Sequence, residues 1–268
     1  MLKDITLGQY FPGTSIIHRL DPRAKILGVL LYIVALFFAK GALSYGILLL
    51  VLALCVAISR VSPSALLKGL KPLLFIVAFT AILNIFYIKS GQVLASFWGL
   101  QITVDGLTTA GFMVLRIVLL VSSTFLLTYT TAPMAMTDGT ELLLSPLKAL
   151  HVPVHDFAMM MSIAMRFIPT LVEEADKIMN AQKARGADFE SGKLTERAKA
   201  LMPLLVPLFV SAFRRADELA VAMESRCYHG GEGRTRMKQL KMCTMDWGYL
   251  FLSALLLSGI IVLSRFGL

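Results

Sequence analysis
Gly41-Ala-Leu-Ser-Tyr-Gly-Ile-Leu-Leu-Leu-Val-Leu-Ala-Leu-Cys-Val-Ala-Ile-Ser59 runs for 19 residues without a charge. About 20 apolar residues is the length a helix needs to cross the hydrocarbon core of a bilayer. Similar runs lie on either side. Residues 26–40 form a first span, with Lys40 snorkelling at its end. Residues 72–88, between Lys71 and Lys89, form a third. Residues 106–131 form a fourth, interrupted by Arg116, and 247–264 a fifth, ending at Arg265. Residues 89–105 read as a connector, with Trp98 placed for the membrane interface.

The composition agrees. Of 268 residues, 57% are hydrophobic, and the mean hydropathy of +0.74 is far above that of a soluble domain. The expected fold class is an all-α integral membrane protein, with about five transmembrane helices plus long amphipathic cytoplasmic helices. Net charge is +9. The cations flank apolar segments, so they set orientation and meet anionic lipid or an acidic protein surface rather than nucleic acid. Of the 26 Lys and Arg residues, only Lys40, Lys89 and Arg265 fall on one side, and Arg116 lies within a span. The other side therefore faces the cytoplasm, together with the N-terminus. No cleavable signal peptide is expected: the first 25 residues carry Lys3, Arg19, Arg23 and Lys25 with no apolar core between them. The expected organisation is a membrane domain over 1–132, a cytoplasmic coupling-helix domain over 133–246, and a C-terminal transmembrane helix over 247–268.

The polar insert contains a repeat. Glu174-Ala-Asp-Lys-Ile-Met-Asn-Ala-Gln-Lys-Ala-Arg-Gly186 aligns with Arg215-Ala-Asp-Glu-Leu-Ala-Val-Ala-Met-Glu-Ser-Arg-Cys227, 41 residues later. Ile168, Leu171, Val172, Ala175, Ile178 and Met179 share one helical face, with Glu173, Asp176, Lys177, Asn180 and Lys183 on the other. A second long helix reads from about 196 to 225, with Pro203 and Pro207 expected to bend it. A short turn over 187–193, containing Gly192, separates the two.

Ile178, Ala181, Gln182 and Arg185 stand at i, i+3, i+4 and i+7, as do Leu219, Ala222, Met223 and Arg226. Each arginine thus projects from the last turn of an apolar stripe, where the helix dipole favours a cation. Gly186 is suited to a left-handed cap. A guanidinium fits a cleft of carboxylates and carbonyls. Two matched tips point to a two-fold partner.

The chain resembles the transmembrane T component (EcfT family) of energy-coupling factor transporters, importers of the ABC class. Ser15-Ile-Ile-His-Arg-Leu-Asp-Pro-Arg-Ala-Lys-Ile-Leu27 resembles that family's N-terminal signature. Thr130-Thr-Ala-Pro-Met134, Leu144-Ser-Pro-Leu-Lys148 and Arg166-Phe-Ile-Pro-Thr170 resemble its later ones. Ala184-Arg185-Gly186 matches the first of its paired arginine motifs, and Ser225-Arg226-Cys227 occupies the second, often Ala-Arg-Gly, keeping the arginine and changing both flanks.

The resemblance implies that these six residues couple the chain to two ABC ATPase subunits, identical or different, one motif to each. It implies a separate S component in the membrane that binds a vitamin or other micronutrient, and residence in the cell membrane of a prokaryote. ATP hydrolysis would belong to the partners, so the chain is not expected to be an enzyme and needs no cofactor. The alternatives are a stand-alone secondary transporter or a membrane scaffold.

Other features are weaker. Gly230-Gly-Glu-Gly-Arg-Thr235 lacks the Gly-Lys-Ser/Thr ending of a phosphate loop. His151 and His155 have Pro153 between them and no third metal ligand nearby. Cys55, Cys227 and Cys243 are scattered, without disulfide or metal spacing. Arg116 has three possible fates: pairing with Asp105, donating to a backbone carbonyl, or snorkelling. Met159, Met160, Met161 and Met165 suit core packing or an adaptable partner surface.

Overall fold
The computed structural model describes residues 10–88, 90, 92–97, 100–187, 194–230 and 239–266. The described residues divide into two compact units, one within Gly8–Leu142 and Leu240–Leu268 and the other within Leu143–Gln239. The sequence reading puts those divisions at 133 and 246.

The first unit holds the apolar helices. A short α1 (Ile16–Arg19) leads into α2 (Pro22–Phe38) and α3 (Ala42–Ser59). Next come α4 (Pro63–Leu70), a 3-10 turn (Lys71–Leu73) and α5 (Leu74–Tyr87). Strands β1 (Val93–Phe97) and β2 (Leu100–Thr103) precede α6 (Val104–Thr130) and α7 (Pro133–Leu144). After the second unit the chain returns as α10 (Thr244–Arg265). Among the described residues, four stretches are long and apolar enough to cross a membrane: Ala42–Ser59, Pro63–Tyr87, Val104–Thr130 and Thr244–Arg265. The expected first span, α2, has 17 residues and rises about 26 Å, somewhat less than a typical hydrocarbon core of about 30 Å.

Two differences from the sequence reading stand out. The third span begins at Pro63 rather than near 72, because α4, the 3-10 turn and α5 follow one another without a break. The connector contains an antiparallel hairpin pairing Phe97 with Leu100 and Val93 with Thr103. It was not expected from the pattern. Thr103 then caps α6: its Oγ1 accepts from Gly106 N–H at 3.1 Å and donates to the Ile88 carbonyl at 2.9 Å. Trp98 lies outside the described residues.

The core of this unit is built on small residues. Ala35 of α2 and Ala39 at its C-cap are fully buried beside Tyr32, Leu36, Tyr45, Leu48, Leu119 and Ile260. Small side chains let membrane helices approach closely, where dispersion does the work that water exclusion does elsewhere. Gly28 shows how close: a Cβ there would lie 2.3 Å from the Tyr249 ring of α10. The buried Tyr32 hydroxyl is satisfied by the Leu48 carbonyl at 3.0 Å.

Two cations tie α2 to α6. Lys25 of α2 is 4% exposed, and its Nζ donates to the Thr130 carbonyl at the end of α6 at 2.9 Å and to the His18 carbonyl at 3.1 Å. Arg116 of α6 returns the arrangement. Its Nη2 donates to the Ala39 carbonyl at the end of α2 at 3.2 Å, and its Nε to the Tyr45 hydroxyl at 2.8 Å. Its guanidinium also lies over the Phe37 and Tyr45 rings, 5.9 and 5.8 Å from their centroids. Of the three fates open to Arg116, donation to a backbone carbonyl is the one realised. From Lys25 to Ala39, and from Arg116 to Thr130, the spacing is 14 residues, a rise of about 21 Å in both helices.

A third cation belongs to a buried cap. Asp21 Oδ1 accepts from Arg23 N–H at 2.9 Å, and the Arg23 guanidinium grips the same carboxylate at 2.9–3.1 Å. Burial pushes the Asp21 carboxyl upward, but the Arg23 hydrogen bonds and charge outweigh it and hold the group below its ordinary value. Asp246, 3% exposed, accepts from Asp21 N–H at 2.8 Å and from Cys243 N–H at 2.7 Å. One carboxylate therefore closes the start of α10 and fastens it to the start of α2.

Replacing Asp246 with Ala takes the acceptor from the buried Asp21 amide and from the half-buried Cys243 amide. The expected loss is roughly 2–4 kcal/mol, read as a lowered thermal midpoint in detergent. An unchanged midpoint would show that the amides find other acceptors.

Candidate functional site
The second unit carries a 3-10 turn (Ser145–Leu150), α8 (Val154–Ala184) and α9 (Leu194–Glu224). Each of these two helices has 31 residues. Both run unbroken through their prolines, Pro169 in α8 and Pro203 and Pro207 in α9. The amphipathic pattern in α8 is as the spacing predicts. Leu171, Val172, Ala175, Ile178 and Met179 are buried or half-buried, whereas Glu173, Lys177 and Asn180 are exposed.

α8 and α9 pack against each other, and Glu174 ties them. Its Oε1 accepts from Ser211 Oγ at 2.5 Å and its Oε2 from Arg215 Nη2 at 2.8 Å. The hydrogen bonds from Ser211 and Arg215, with the Arg215 charge, hold the Glu174 carboxyl below its ordinary 4.5. Glu174 and Arg215 are the first residues of the two aligned repeats, so equivalent positions meet at the tie. Arg185 and Arg226 each stand 11 residues further along, about 16 Å of helix beyond it.

Both helices end in the same backbone motif. In α8 the Gly186 N–H donates to the Lys183 carbonyl and the Ala187 N–H to the Gln182 carbonyl, each at 3.0 Å, with Gly186 at φ +89°. In α9 the Cys227 N–H donates to the Glu224 carbonyl at 2.9 Å and the Tyr228 N–H to the Met223 carbonyl at 3.0 Å, with Cys227 at φ +57°. These are two Schellman caps, with the arginine immediately before the left-handed residue in each. Cys227 stands at the second tip where Gly186 stands at the first. The backbone keeps the cap, and Cys227 adopts a conformation that costs an L-residue roughly 1–2 kcal/mol. Two bonds brace that end: Ser225 Oγ donates to the Val221 carbonyl, and Tyr228 Oη donates to Met159 Sδ of α8 at 3.0 Å.

Ala184, Arg185, Gly186, Ser225, Arg226 and Cys227 are all exposed. Neither guanidinium has a hydrogen-bond or ion-pair partner among the described residues, so its donors are open to a carboxylate or carbonyl acceptor. Above the second tip, α9 presents Met202, Val206, Phe209, Val210 and Phe213, each 56–68% exposed. The Glu174–Ser211–Arg215 tie is absent from the sequence-level site. Opposite charges at equivalent repeat positions were the available signal. His151 takes a left-handed conformation at the end of its 3-10 turn, and His155 lies in α8. Residues 231–235 of the glycine-rich stretch, and 188–193 of the turn after α8, lie outside the described residues.

Membrane-length apolar helices, with a pair of long amphipathic helices in a separate unit, make this an all-α integral membrane protein. The family model described as cobalt transport protein, CbiQ, matches residues 13–237. An energy-coupling factor transporter transmembrane protein EcfT from Ruminiclostridium cellulolyticum is 54% identical over 246 residues, 92% of both chains. A protein of the same name from Thermosediminibacter oceani is 52% identical over 265 residues, 99% of both chains. Another from Bacillus subtilis is 51% identical over 240 residues, 90% of this chain and 91% of its own. The chain belongs to this family, the EcfT transmembrane components of energy-coupling factor transporters.

Cys227→Gly is expected to raise the unfolding free energy by about 1 kcal/mol, because glycine adopts the left-handed conformation without strain. Gly186→Cys should lower it comparably, and thermal unfolding of both variants reads the effect. A group whose folded pKa is depressed stabilises the fold above its ordinary pKa. The Glu174 contribution is therefore present at neutral pH and lost as pH falls below 4.5 through the depressed value. Glu174→Gln should remove that acid limb from the stability profile while leaving the helices formed.

Proposed function
We propose that this chain is the non-catalytic transmembrane coupling subunit of an energy-coupling factor importer in the cell membrane of a prokaryote. Residues 133–246 face the cytoplasm, in line with the crowding of cations on that side. There Arg185, flanked by Ala184 and Gly186, docks on one ATP-binding-cassette ATPase subunit. Arg226, flanked by Ser225 and Cys227, docks on a second, identical or not. A substrate-binding S component packs against the chain in the membrane and carries the cargo, a vitamin or other micronutrient. The family description names cobalt, and the relatives' names specify no cargo. ATP is hydrolysed by the partners.

The observation that carries this reading is the pair of matched tips. Two exposed guanidiniums sit on the same cap, equally far along their helices from a tie between equivalent residues. Such a pair suits a partner that presents the same acceptor cleft twice. A hydrogen bond to a charged group contributes roughly 1.5–3 kcal/mol, and two sites engaged together gain from their enforced proximity. A self-contained secondary transporter would place ionisable groups at the membrane midplane for its cargo. Here Arg116 spends donors on the Ala39 carbonyl and the Tyr45 hydroxyl instead.

Arg185→Glu combined with Arg226→Glu is expected to leave expression and membrane insertion intact and to abolish ATPase co-purification and transport. Either single change should weaken retention about tenfold to a hundredfold. A double variant that transports at the normal rate would refute the proposal.

A further inference from the structure
Between α2, α3, α6 and α10 lies an apolar cavity of about 590 Å³, floored by Ile16 and Leu20 around α1. It opens sideways, where Leu54 of α3 and Leu255 of α10 are each 55% exposed. Few of its lining groups are polar, and Tyr249 and Ser253 of α10 are among them. At its α1 end it meets a second cavity of about 330 Å³ that shares Ile16, Leu20 and Met245 and adds Thr14, Arg19, Cys243 and Asp246. The Arg19 side chain has no hydrogen-bond or ion-pair partner among the described residues. Asp246 is the acid at this mouth, and both of its oxygens already accept backbone N–H groups, from Asp21 and Cys243.

We infer that this continuous groove holds one anionic phospholipid, from the leaflet on the α1 side. An acyl chain lies in the apolar slot and the phosphate meets the Arg19 guanidinium. Three observations select a lipid. The slot opens toward the hydrocarbon rather than toward water, since its rim residues lie on membrane-length helices. An unpartnered cation stands at the end where a headgroup would be, supplying charge complementarity that an apolar occupant would not use. The slot itself is walled by leucine and isoleucine side chains of α3 and α10, which suit an acyl chain. Its volume falls within the usual range for a small-molecule site.

The test counts lipids that stay bound. The full-length chain, purified with its partners in mild detergent, is washed free of loose lipid. It is then offered phosphatidylglycerol or phosphatidylcholine in mixed micelles, and native mass spectrometry reports retention. The unaltered chain is expected to keep one phosphatidylglycerol. Arg19→Gln should cut phosphatidylglycerol retention about tenfold and change phosphatidylcholine retention little. Gly259→Leu places a side chain in the slot, where a Cβ meets nothing within 4 Å, and should remove both lipids. Leu54→Trp fills it from the opposite wall and should do the same should the first variant misfold. Thermal midpoints without added lipid confirm folding. The inference is overturned if the unaltered chain keeps no lipid, or if the variants keep as much as it does. A co-purified protein protected in the slot would overturn it equally.

Discussion
A helix that ends in a packed protein interior has carbonyls with no water to receive them. Each such group left alone costs several kcal/mol. The first unit meets this constraint by exchange. α2 lends Lys25 to the end of α6, and α6 lends Arg116 to the end of α2. The cations are themselves expensive in that setting, and the carbonyls and the Tyr45 hydroxyl are what make them tolerable. Packing then follows. With α2 held in register against α6, its alanines meet Leu119 and Tyr45, and Gly28 comes against Tyr249. Asp246 ties the same end of α2 to α10.

The second unit applies a different logic. The outer face of α8 carries Glu173 and Lys177, α9 exposes an apolar row from Met202 to Phe213, and the repeat places similar residues on both helices. One tie joins equivalent positions, and beyond it each helix runs the same length to the same cap. Chemistry differs between the tips while backbone geometry does not. Cys227 holds a conformation suited to glycine because the hydrogen bonds of the cap and the Tyr228–Met159 bond favour it. The observed pair is thus more alike in structure than in sequence.

Much of this was legible in the residues. The uncharged run at 41–59, the spans at 106–131 and 247–264, the amphipathic faces of α8 and the two arginine ends all follow from hydropathy and period. Other features depended on distant partners. The pattern over 89–105 is too short and mixed to announce a hairpin, and its pairing is a matter of register between strands. Arg116 admitted three fates because its acceptor, the Ala39 carbonyl, lies 77 residues away. The continuous helix from Pro63 was hidden by Lys68 and Lys71, which end a hydropathy window without ending a helix. The cap at Cys227 was missed because residue preference suggests glycine there, whereas tertiary bonds override the preference.

The equal intervals in α2 and α6 have an evolutionary corollary. Two dowels set the same distance apart in facing beams admit no change in one beam alone. Inserting a residue between Lys25 and Ala39 would lengthen that interval by about 1.5 Å and turn the helix by about 100°. One of the two bonds would then be broken. Chains that keep both bonds must gain or lose residues in the two intervals together, so length in this part of the protein should vary in matched pairs or not at all.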